Sequence, residues 1–151
     1  MERRLRYADE MEAACGGAPG VSPGVDREYH ARSPMSVLDG TGGVAIEINA
    51  GIHDGHTGSV PAGHALRAFN MLAAANGEPD KALTEDEITE FELTEAVPAG
   101  LAGERVNDPS YGEKRVLFRR AAGPVRVTLF EGGHEGLPSA GCEWLSRQSK
   151  N

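Results

Sequence analysis

The sequence predicts an α/β fold, and two observations carry that prediction. A β-branched run, Val44-Ala45-Ile46-Glu47-Ile48-Asn49-Ala50, leads through a glycine-rich loop into an amphipathic helix opened by Pro61. A second run, Val125 to Phe130, leads through Glu131-Gly132-Gly133-His134-Glu135-Gly136 into a closing helix. Strand, loop and helix in that order, met twice, are units of a sheet with helices packed on it.

The elements follow in order. Leu5, Ala8, Met11 and Cys15 recur at helical period and Gly16-Gly17 stops them, which predicts a helix over 3–15. Residues 16–24 read as a flexible connection, followed by a short helical turn from Val25 to Ala31 before Ser33-Pro34 forces extended backbone. The run 44–50, between glycines, reads as a buried or mostly buried strand. Gly51 to Ser59 holds three glycines and two histidines and is a loop. Leu66, Phe69, Leu72 and Ala73 then lay an apolar stripe on a helix that ends near Asn76-Gly77. Residues 78–111 are acidic and irregular, with a helix start at Thr84-Glu85-Asp86-Glu87 and a break at Val97-Pro98. Arg115–Arg120 and Val125–Phe130 read as two strands meeting at Ala121-Ala122-Gly123-Pro124, and Leu137 to Leu145 as the last helix.

Charge narrows the function. In 151 residues, 15 Lys and Arg face 23 Asp and Glu, a net charge of −8, so the overall field repels phosphate backbones and anionic membrane surfaces. The basic patches at Arg3, Arg4 and Arg6, and at Lys114, Arg115, Arg119 and Arg120, lie near carboxylates in sequence and read as solvated faces. Nucleic acid and membrane are therefore not expected as partners. No apolar run approaches the ~20 residues of a membrane helix. Cys15 and Cys142 show neither a disulfide framework nor a metal-ligand spacing.

Two loops leave the C-terminal ends of strands: Gly51-Ile52-His53-Asp54-Gly55-His56 and Gly132-Gly133-His134-Glu135-Gly136. That edge of an open α/β sheet is where ligands bind. A carboxylate on one loop can fix the tautomer of an imidazole on the other, and the imidazole can then take a proton from a nucleophile. Asp54 and His134 are the candidate pair.

On these residues the chain resembles the C-terminal half of α/β-hydrolases of the prolyl oligopeptidase-like group. Ile46 to Phe69, with Ala50-Gly51-Ile52-His53-Asp54 and Ser59-Val60-Pro61, looks like the segment that holds the triad aspartate. Val125 to Leu145, with Gly132-Gly133-His134-Glu135 and Trp144-Leu145, looks like the last strand, histidine loop and closing helix. Tyr29 to Leu38 looks like the approach to the acid-bearing strand. The resemblance implies Asp54 as triad acid and His134 as triad base, acyl transfer from an ester or a peptide to water, and neither metal nor other cofactor. It also implies a partial catalytic domain over 1–151: helix and linker 1–24, acid-bearing strand-loop-helix 25–77, insertion 78–111, and strands, histidine loop and closing helix 112–151. Ala50, where the family often has histidine, and the long stretch from His56 to Ser59 depart from the pattern.

The nucleophile elbow of such enzymes is Gly-x-Ser-x-Gly on a strand-to-helix turn. Gly20-Val21-Ser22-Pro23-Gly24 matches the letters but not the chemistry. Gly16-Gly17-Ala18-Pro19 cannot form the preceding strand, and Pro23 lacks the N–H that should face the oxyanion. About 30 residues separate Ser22 from Asp54, too few for the intervening helix, strand and crossover. The expectation is a chain without its nucleophile and without the N-terminal strands, completed by a missing N-terminal half and inactive alone. Two other readings compete: a metal site built from His53, Asp54, His56 and His64 with His134 nearby, and a non-catalytic interaction domain derived from the same fold.

Overall fold

A computed structural model describes residues 2–149, with side chains from Tyr7 onward, so the patch at Arg3, Arg4 and Arg6 and the apolar Leu5 lie outside the described side chains. The chain forms two compact units, Met1–Leu38 and Asp39–Asn151.

The first unit is a helix pair. Helix α1, Glu2–Cys15, ends where the N–H groups of Gly16 and Gly17 both donate to Glu12 O at 2.8 Å. Helix α2 spans Pro23–Arg32 and so starts two residues before the expected turn. Ser22 is the reason. In extended backbone its hydroxyl accepts from Val25 N–H, while Pro23 fills the first helical position, where no N–H is needed. The hydroxyl of Tyr29 donates to Gly17 O at 3.2 Å and ties α2 back to the α1 terminus.

The second unit is a three-stranded mixed sheet with helices. Strands β1, Ile46–Gly51, β2, Val116–Ala122, and β3, Val125–Phe130, lie in the order β1-β3-β2, with β1 parallel and β2 antiparallel to β3. Strand β1 starts at Ile46, not Val44, because its N–H is the first to meet the neighbour, donating to Pro124 O at 3.2 Å; Val44 is exposed. Nor is β1 as buried as its β-branched run predicts. It has β3 on one side only, and its residues are half-buried or exposed up to Gly51. The β2–β3 hairpin turns through Gly123 and Pro124, with glycine at the first central position at φ 54°, as II′ turns require.

Helix α3, Gly63–Ala75, covers one sheet face with Leu66, Phe69, Leu72 and Ala73, all fully buried beside Phe118, Val127 and Leu129 in the core. Leu66, Phe69 and Leu72 are large apolar side chains, whose burial contributes on the order of 1.5–3 kcal/mol each. The segment 78–111 is more ordered than its composition predicts. It carries helix α4, Glu85–Thr94, whose Thr84 and Glu87 form a capping box and whose Ile88 and Phe91 enter the core. Phe91 meets Phe118 edge to face, ring centres 5.3 Å apart. Asn70 of α3 pairs twice with the backbone of Leu83, at 2.7 and 2.8 Å, and fastens the start of the insertion.

The opposite face holds Tyr111, Val116, Phe130 and Ala140, the last from helix α5, Pro138–Ser146. Beside them lies a polar layer. Glu47, its side chain 3% exposed, pairs with Arg126, and Tyr111 OH bonds to Asn49. Arg119 donates to Asp108 at 2.8 Å and to Thr128 Oγ1 at 3.0 Å. Arg119 and Arg120, expected on a solvated face, are thus mostly enclosed. The carboxylates that neutralise them, Asp108 and Glu104, come from the insertion. No helix among the described residues is long and apolar enough to cross a membrane.

Candidate functional site

Parallel pairing decides where the two loops meet. The register aligns Gly51 with Phe130, so the chain leaves β1 and β3 at the same sheet edge. Ile52 N–H donates to Phe130 O and His53 N–H to Gly132 O, both at 2.9 Å, stitching the loops beyond the strands. The acid loop then coils on itself, Asp54 N–H donating to Gly51 O and Thr57 N–H to His53 O.

The stitching brings the two candidate residues together. Asp54 is buried, and its Oδ2 lies 2.7 Å from His134 Nδ1. Its other oxygen, Oδ1, accepts from the N–H groups of Gly55 at 2.9 Å and Val60 at 3.2 Å. Both carboxylate oxygens are therefore committed, and the side chain has no second position with equal bonding. A carboxylate only accepts, so His134 Nδ1 carries the hydrogen; in the neutral ring Nε2 then holds the lone pair, the tautomer a general base needs. The imidazole itself is open, its side chain 62% exposed.

Gly58 closes over the pair. A Cβ on Gly58 would lie 2.1 Å from Asp54 Oδ1 and 2.7 Å from His134 Cβ, a space only glycine leaves free. On the histidine loop, Glu135 accepts from Lys114 Nζ at 2.7 Å and from Gly133 N–H at 3.2 Å. The Lys114 ammonium, helped by that N–H, holds the Glu135 carboxyl below the usual carboxylate range. A cleft of about 490 Å³ runs past the pair, its walls apolar at Ile48, Ala50, Val60, Pro61 and Ala65 and polar at His64 and Glu135.

The histidines of the metal reading do not gather about Asp54; His53 and His56 both turn to Glu95. Asp54 turns to His134, whereas His53 Nδ1 lies 2.7 Å from Glu95 Oε2, and His56 Nε2 donates to Glu92 O at 2.6 Å. His64 lines the cleft. Among the described residues no group of three or more His, Cys, Asp or Glu side chains could hold a metal ion. Ser22 sits at a helix N-cap preceded by turns, not by a strand. Glu95 was invisible to sequence reasoning, since only the fold brings it to a loop 42 residues upstream.

Comparison with protein-family models, curated proteins and solved structures finds no match to this chain.

Proposed function

We propose that Asp54 and His134 are the acid and the base of a serine-hydrolase triad, cleaving an ester or a peptide bond by acyl transfer to water, with the serine supplied from outside these 151 residues. The observation that carries this is the committed carboxylate: Oδ2 on His134 Nδ1 at 2.7 Å, Oδ1 held by two backbone N–H groups, and the imidazole open to a cleft. In such a site Asp54 orients the ring and stabilises the imidazolium, and His134 Nε2 takes the hydroxyl proton and returns it to the leaving group. The apolar walls of the cleft suit an acyl or leaving-group carbon skeleton.

Strand β1 supports the location of the missing half. It is one of the two edge strands of the described sheet, half-buried or exposed before Gly51, and further strands would extend the sheet from its free side. Among the described residues no serine or threonine hydroxyl is hydrogen-bonded to His134, and by itself the chain is inactive in this reading. The reading is tested on the reading frame immediately upstream in the genome: a strand followed by Gly-x-Ser-x-Gly supports it, and expression of the joined chain should yield an esterase or peptidase that needs no metal. A metal requirement in the joined chain would overturn the class.

A further inference from the structure

The insertion returns to the acid loop at one residue, Glu95. Its carboxylate reaches both histidines that flank Asp54 in sequence: Oε2 lies 2.7 Å from His53 Nδ1, and Oε1 lies 3.4 Å from His56 Nδ1. His56 is gripped on its other side as well, its Nε2 donating to Glu92 O at 2.6 Å. His53 Nδ1 donates to the Glu95 carboxylate and His56 Nε2 to the Glu92 carbonyl, so α4 and its cap orient both rings from outside the loop; the approach of His56 Nδ1 to Glu95 Oε1 is an ion pair only for the protonated ring. The same short loop carries Asp54, so these contacts hold the loop next to the pair.

Glu95 stands on a rigid support. It caps α4, which is anchored in the core by Ile88 and Phe91 and bound to α3 through Arg67, whose guanidinium donates to Glu85 at 3.0 Å and to Glu92 at 3.1 Å. It also holds an unfavourable backbone. Among described residues other than glycine it alone has positive φ, at 52°. Non-glycine residues stay in that region where surrounding contacts over-determine them. Glycine would cap the helix without strain, yet the position carries the one side chain that bridges His53 and His56.

We propose that Glu95 is a positioning residue: its carboxylate fixes the acid loop through His53 and His56 and so holds Asp54 in bonding distance of His134. The inference rests on the reading of Asp54 and His134 as a proton-transfer pair. Because Glu95 and His53 are about one-third exposed, their contact is screened and acts on loop geometry more than on global stability.

The test is solvent exchange of the His134 Nδ1 proton, followed by NMR on the full chain with 15N-labelled histidine and assigned by its loss in His134→Gln. In the unaltered chain the proton is protected and shifted far downfield. Glu95→Gln keeps the shape and removes the charge; Glu95→Gly removes the side chain and relieves the backbone. Both should speed exchange of that proton by about tenfold or more while leaving the core amide of Leu72 unchanged. His53→Asn, which removes the partner from the loop side, should do the same. Unchanged exchange in all three variants overturns the role of Glu95 and leaves the Asp54–His134 pair standing. Absence of a protected Nδ1 proton in the unaltered chain overturns both.

Discussion

Gly51 on β1 faces the carbonyl oxygen of Gly133 so closely that a Cβ on Gly51 would lie 2.2 Å from it. The two loops are thus held together by backbone against backbone, and the distance between Asp54 and His134 follows from it. Gly51→Ala should force the loops apart and destabilise the fold by about 1–3 kcal/mol, the range for overpacking a filled site. Urea denaturation measures the loss, and accelerated exchange of the His134 Nδ1 proton measures the separation.

Gly58→Ala acts on the pair itself. The added methyl would collide with Asp54 Oδ1 and His134 Cβ, so one of the two side chains must leave. In an enzyme completed as proposed, kcat should fall by a factor of about 100 or more, because the Asp54–His134 geometry is lost. KM should change little, which separates this effect from damage to the cleft walls.

The Glu47–Arg126 pair should be costly to break. Arg126→Ala leaves a carboxylate whose side chain is 3% exposed without its cation, and removal of one partner of a buried pair costs about 3–5 kcal/mol. Restoring neutrality with Glu47→Gln in the same chain should recover part of it. A double-mutant cycle in urea checks both the size and the recovery.

Asp108 gives the fold an acid limb. Burial raises its pKa, but the Ser110 and Arg119 bonds outweigh burial and hold it below the ordinary 3.8. A depressed folded value means that its stability is fully present above that ordinary value and is lost as pH falls through the depressed one. Asp108→Asn should flatten this limb, seen as a smaller loss of thermal stability between neutral and strongly acidic pH.

Strand β3 and helix α3 were legible in the sequence; most of the insertion was not. Strand β3 has the predicted bounds, and the stripe Leu66, Phe69, Leu72 and Ala73 marked the buried face of α3, because both signals are local periodicities. The insertion showed only its helix start, at Thr84-Glu85-Asp86-Glu87. Only Ile88 and Phe91 of α4 enter the core, too few to raise a pattern above seven acidic residues between Asp80 and Glu95. Asp54 and His134 were nameable from their loops, yet the clamp that Glu95 places on His53 and His56 depends on contacts about 40 residues apart. No local rule reports such contacts.

The most direct measurement is labelling by a fluorophosphonate probe, which reacts only with activated serines. The 151-residue chain is expected to show no labelling. Joined to or mixed with the serine-bearing half proposed above, the protein should label at that serine, and His134→Ala should abolish the labelling, since loss of a triad member costs on the order of 10⁶ in turnover. Labelling of the isolated chain at Ser22, abolished by Ser22→Ala, would contradict the central claim, as would labelling of the completed protein that survives His134→Ala.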